Sequence, residues 1–152
     1  MKCIIYLDFL NKDSYELVDK LIDINKKKDI DVEIIGYDYN ASEDINNAYY
    51  GYNYAKKFGV GLEYLHLLLK KYHVDEIDIS SMDVVAKSFE ELGYEKFNML
   101  DALHEGEYKL MQDYLDYKTK SNNIDCDIYA YVYDEEHNRT LVKGKDAILK
   151  LF

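Results

Sequence analysis

The chain opens on a nearly unbroken apolar run, Cys3 to Phe9 (CIIYLDF). Such a run predicts a short strand buried on both faces. A polar break follows at Asn11-Lys12-Asp13-Ser14, in which Asp13 and Ser14 are both good helix N-caps. Beyond it Leu17, Val18, Leu21 and Ile22 recur at helical spacing as far as Lys26. Strand character returns over Asp31 to Tyr37 (DVEIIGY). Strand, helix, strand with a short return is a βαβ unit, and its two strands are expected to be parallel neighbours.

Between Ser42 and Asn123 the pattern is helical throughout. Ser42 can cap a helix that ends at Gly59, and Leu62 to Tyr72 is apolar on one side. Ser80 or Ser81 can cap Met82 to Leu92, with Gly93 placed as a C′ glycine. A short helix over Tyr94 to His104 is expected to stop before Gly106, and another to run from Glu107 to Lys120. Asp127 to Tyr133 and Arg139 to Val142, joined by the polar turn Asp134 to Asn138, predict an antiparallel hairpin. Gly144 then breaks the chain and Asp146 can cap a terminal helix, AILKLF. The order is β-α-β, a helical block at about 42–123, then β-β-α.

The 152 residues are the length of one domain, read as a single domain over 1–152 with the helical block inserted. Hydrophobic residues make up 48%, which excludes a disordered tail, and no apolar stretch reaches the ~20 residues of a membrane span. The net charge of −11 argues against nucleic acid and anionic membrane as partners. Asp8 interrupts the only stretch that looks faintly like a signal peptide, so a cytoplasmic location is expected. Cys3 and Cys126 form no CxxC and no metal spacing, and two such thiols are expected to be reduced packing residues.

Several of these segments together resemble a known family. Tyr6-Leu7-Asp8-Phe9, the tetrapeptide Asn11–Ser14 and Tyr15 resemble the strand–Asp-Phe–x–Cys-x-x-Cys–Tyr opening of the cytosolic DsbA/FrnE-like oxidoreductases. Asp31-Val32-Glu33 to Asn40, Tyr54-Ala55, Gly59, Asp78-Ile79, Leu92-Gly93-Tyr94 and Ala102 to Tyr108 fall at that family's helical and strand positions. Ile128 to Asp134 resembles its Val-Pro-x-Phe-Val-x-Asp strand, and Gly144 the glycine before the last helix. The resemblance spans essentially the whole chain. It implies a thioredoxin-like α/β fold of the DsbA type, with a helical insertion between the βαβ and ββα halves.

The same resemblance places the family's chemistry on residues that lack it. The tetrad positions are Asn11, Lys12, Asp13 and Ser14, and the cis-proline position is Tyr129, in a chain without any proline. A cis bond before a non-proline residue costs ~2.5–4 kcal/mol, so a trans bond is expected there. Three functions remain open. The first is a redox-inactive relative that binds a peptide or small ligand in the former substrate groove through Asn11, Ser14, Ile128 and Tyr129. The second is an enzyme, either a dithiol–disulfide isomerase or a kappa-type glutathione transferase, in which Asn11 stands where those transferases carry serine and glutathione is the implied cofactor. The third is a structural or interaction protein that uses tyrosine-rich helices to form a homodimer, with the Tyr49–Tyr54 cluster as either a binding or dimer surface or plain packing in a tyrosine-rich chain. His66, His73 and Glu63 share one face of a helix without partners for a metal site, and the two histidines are expected to be partly exposed.

Overall fold

The computed structural model describes residues 1–36, 45–94, 97–121, 124 and 126–152. Strand β1 (Lys2–Leu7) is buried on both faces from Ile5 to Leu7, as its continuous apolar run demands. Helix α1 (Lys12–Lys27) turns Leu17, Val18, Leu21 and Ile22 inward and returns the chain to β2 (Val32–Gly36). Helices α2 (Asn46–Lys56), α3 (Gly61–His73), α4 (Met82–Glu91) and α5 (Met99–Ser121) lie between β2 and the closing hairpin, β3 (Tyr129–Tyr133) and β4 (Arg139–Lys143). A short helix, α6 (Lys145–Leu149), follows.

All four strands form one sheet in the order β2-β1-β3-β4. β1 and β2 are parallel, with Ile5 opposite Ile34, while β1–β3 and β3–β4 are antiparallel. The sheet's two faces differ. Cys3, Ile5, Leu7, Ile34 and Ala130 join a large aliphatic core with residues of α1, α3 and α6. The opposite face is small and aromatic, built from Tyr6, Tyr129, Tyr131 and Ile35. Tyr6 donates from its hydroxyl to the Asp116 carboxylate, which brings α5 against that face. β4 is an exposed edge with Arg139 and Lys143 at its ends, where charge discourages further pairing. In the hairpin turn the Asp134 carboxylate accepts from the N–H groups of Glu136 and Asn138, each at 2.9 Å.

Five expectations need correction. β1 stops at Leu7, because Asp8 folds the chain into a turn. The cap of α1 is Asn11, not Asp13 or Ser14, and α6 starts from Gly144 (φ 89) rather than from Asp146. Gly106 does not end a helix: α5 runs unbroken through it. A Cβ at Gly106 would lie 2.4 Å from the Tyr50 ring, so this glycine exists to let α5 approach α2. The expected cap at Ser42 lies outside the described residues. Finally, the Tyr49–Tyr54 cluster is internal. Tyr49, Tyr50, Tyr52 and Tyr54 are all buried, so it offers no dimer surface.

Candidate functional site

The turn from β1 into α1 is held by one residue. Asp8 accepts from the Leu10 N–H on its carboxylate at 2.9 Å and from the Asn11 N–H on its backbone carbonyl at 3.1 Å. Phe9, between them, drives its ring into the core against Tyr49, 4.4 Å between centroids. Asn11 is then set in extended backbone (φ −81, ψ 129), and its side-chain oxygen accepts from the Asp13 N–H at 2.8 Å. This N-cap satisfies one of the free N–H groups that open a helix. Lys145 of α6 pairs with Glu16 and with Asp13, the latter at 3.2 Å, and these contacts hold its ammonium above the ordinary lysine value. The first turn of α1 thus has its own acids neutralised by its neighbour.

Ser14 is fully buried, and its hydroxyl has no hydrogen-bond partner among the described residues. Ile128 is buried on the same side of the sheet as α1, and its carbonyl is doubly engaged. It accepts from Gly144 N–H at 2.8 Å and from the Cys126 thiol at 2.9 Å. No cis peptide bond occurs among the described residues, so the bond before Tyr129 is trans. Tyr129 points to the other face, stacked on Tyr6 with centroids 4.8 Å apart. Asn11, Ser14 and Ile128 therefore sit on the α1 side of the sheet and Tyr129 does not. Both cysteines are free, and burial pushes the Cys3 thiol up to about 11.

A second set of residues gathers here whose grouping the sequence pattern does not show. Tyr15 lies between His66 and His73 of α3, its ring nearly parallel to both, with centroids 6.2 and 5.7 Å away. His66 Nε2 is 2.8 Å from an Asp19 oxygen, and His73 Nε2 donates to the Phe9 carbonyl at 2.8 Å. The seven-residue spacing placed both histidines on one side of a helix. Only the crossing of α3 over α1, which brings Tyr15 between them, gives that spacing a purpose. Both histidines are half-buried, in keeping with the expectation of partial exposure. Among the described residues no three His, Cys, Asp or Glu side chains are grouped to hold a metal.

Beside the Asn11 cap an open groove of about 560 Å³ is lined by Leu10, Tyr72, His73, Glu76, Ile77 and Asp78. Glu76 (φ 55) turns the chain out of α3 and so shapes its rim. Hydrogen bonds from the Ser80 hydroxyl and N–H hold the Asp78 carboxyl below the usual carboxylate range. The groove sets Leu10, Tyr72 and Ile77 among His73 and two carboxylates, a mostly polar surface with room for an apolar side chain that carries a positive charge nearby.

Solved structures share the fold that carries this site. A putative protein disulfide isomerase from Nitrosomonas europaea superposes with a TM-score of 0.71 and 8% identity, over 99% of this chain and 96% of its own. The DsbA disulfide interchange protein from Klebsiella pneumoniae superposes with a TM-score of 0.66 and 13% identity, over 97% of this chain and 82% of its own. The chain has a DsbA-type thioredoxin fold. No protein-family model matches the sequence, and no curated protein does. At these identities the likeness is one of fold, and function has to be argued from the site. Within the DsbA-type fold, helices α2 to α5 are the block between β2 and β3 that the order of elements predicts. No described helix is long and apolar enough to cross a membrane.

Proposed function

We propose that this DsbA-type chain binds a short peptide or a small thiol such as glutathione beside the start of α1, and does not exchange disulfides. The Asn11 cap carries the reading. A thiol–disulfide enzyme uses this place to present a thiolate to the free N–H groups of the first helical turn. Here the Asn11 oxygen already accepts from the Asp13 N–H, and a carboxamide cannot attack a disulfide. Ser14 offers a hydroxyl where a second sulfur would close the exchange. Cys126 donates its S–H to the Ile128 carbonyl and has no basic side chain next to it in sequence. The Ile128 carbonyl, occupied twice, is closed to an incoming strand. Ligand contact falls instead on Asn11 and the neighbouring groove. Ser14, Ile128 and Tyr129 are buried and act through the backbone they hold in place.

The lining of the groove favours an apolar residue next to a lysine or arginine, with Glu76 and Asp78 as counter-charges. Glutathione is served differently. The oxygen of the Asn11 carboxamide is engaged, which leaves its NH₂ end to donate to a sulfur. Titration of isotope-labelled protein with a short apolar peptide bearing one lysine is expected to shift the amides of Leu10, His73 and Ile77. Asp78→Asn is expected to weaken that binding by about 2- to 5-fold, the scale of an exposed ion pair. Reduced glutathione is expected to shift Asn11 and Asp13. Silence at all these positions at millimolar ligand ends the binding half of the proposal. Insulin reduction faster than the reductant alone ends the other half.

A further inference from the structure

Helix α5 is built inside out. The side that meets α2 carries an ion pair, Lys109 to Asp113 at 3.0 Å, together with Gly106 under the Tyr50 ring. The side that meets solvent carries large apolar residues. Leu100, Tyr108 and Met111 are 70%, 68% and 65% exposed, and Tyr114 and Leu115 are exposed along the same strip. At roughly 100° per residue the five fall within an arc of about 120°. Six of the eleven large hydrophobic residues exposed among the described residues lie on this one helix, Met99 included. A surface helix ordinarily arranges its polar and apolar sides the other way round.

We infer that this strip is a self-association surface, at which two copies of the chain pair through α5, antiparallel across a two-fold axis near Tyr108 and Met111. Three observations favour a second copy as the cover. The five side chains leave on the order of 600 Å² exposed, and a standard interface covers ~800 Å² on each partner. Tyr108 and Met111 straddle the middle of Met99–Ser121, where the axis of an isologous contact between two such helices belongs. An axis between Lys109 and Leu110 sets Tyr108 of each copy against Met111 of the other, sulfur against ring. It also sets Glu107, a charged side chain within the arc, opposite Gln112 of the second copy, so that this carboxylate meets no like charge. The net charge of −11 opposes an anionic membrane as the alternative cover.

Sedimentation velocity with light scattering, from about 1 µM to 1 mM, tests this, since interfaces of this size reach micromolar affinity or better. A monomer–dimer equilibrium is expected within that range. Met111→Glu and Tyr108→Glu are each expected to move it at least ~10-fold higher in concentration. Both side chains are exposed, so circular dichroism is expected to be unchanged. A chain monomeric at ~1 mM overturns the inference. A dimer indifferent to both substitutions also overturns it. Monomers that co-sediment with zwitterionic vesicles in the same concentration range overturn it in favour of a lipid surface.

Discussion

In α2 Tyr49, Tyr50, Tyr52 and Tyr54 are all buried, whereas in α5 Tyr108 and Tyr114 are exposed. The difference lies in what surrounds each helix, not in the residue. Phe9 stacks on Tyr49 from the sheet side, and Phe58, Phe89 and Phe97 surround Tyr54 with centroids 4.9 to 5.3 Å away. Glycines let the rings in. A Cβ at Gly36 would meet the Tyr49 ring at 2.3 Å, and one at Gly51 would meet the Tyr64 hydroxyl at 2.3 Å. That hydroxyl donates to the Val85 carbonyl at 3.0 Å, so the Tyr64 ring beside α2 is hydrogen-bonded as well as buried. α5 has this treatment on one side only. Tyrosine-rich composition therefore marks a region that is aromatic and polar-tipped, and the neighbours decide whether it becomes core or surface.

The largest expected effect separates the two helices directly. Tyr49→Ala removes a ring from a closed core and is expected to cost ~3–5 kcal/mol in urea denaturation. Tyr108→Ala, measured at a concentration where the chain is monomeric, is expected to stay within ~0.5 kcal/mol of the wild type. A cost below ~1 kcal/mol for Tyr49→Ala contradicts the closed packing of α2.

The next effect concerns how α2 and α5 touch. On propensity alone Gly106→Ala stabilises a helix interior by ~1 kcal/mol. Here the added methyl meets Tyr50 ring atoms at 2.4 to 3.0 Å, and overpacking of this kind costs ~1–3 kcal/mol. The net expectation is a destabilisation of ~1 kcal/mol, read as a lower urea midpoint with an unchanged slope. A higher midpoint would mean that Tyr50 yields and that the approach of the helices is loose.

The same glycine shows where the sequence was legible. The strands, the parallel β1–β2 pair, the β3–β4 hairpin and the C′ glycine at Gly93 (φ 95) follow from local pattern, whereas the β1–β3 pairing joins residues far apart in the chain. Gly106 carries an identical local signal to Gly93 and means something else, because its partner Tyr50 is far away in the chain. At the candidate site the tetrad was placed at the start of α1, yet the two cap candidates there, Asp13 and Ser14, give way to Asn11. The deciding contact, Asn11 to the Asp13 N–H, depends on the turn that Asp8 makes. The Tyr15 stack and the groove beside it depend on α3 crossing α1, which no periodicity records.

The smallest effect asks whether the inner side of α5 pays for its charges. Burial pushes the Asp113 carboxyl up, and the hydrogen bond and charge of Lys109 offset only part of that. Burial likewise lowers the Lys56 ammonium across the interface on α2. For Asp113 the folded chain holds its proton to a higher pH than the unfolded chain does. Stability from this group is therefore present at low pH and falls as the pH rises from the ordinary carboxylate value through the raised one. Asp134, exposed in the hairpin turn, has the opposite sign. The N–H groups of Asn138 and Glu136 hold its carboxyl below the ordinary value, so its contribution is present above that value and lost as the pH falls through the depressed one. The net charge of −11 gives the whole chain a pH dependence, so the useful quantity is the gap between wild type and variant. As the pH rises from acid to neutral, the wild type is expected to lose ground to Asp113→Asn and to gain ground on Asp134→Asn. Equal slopes for the two gaps in denaturation at matched pH would remove the half-buried ion pair from α5, and with it the inverted character that leaves its apolar side to solvent.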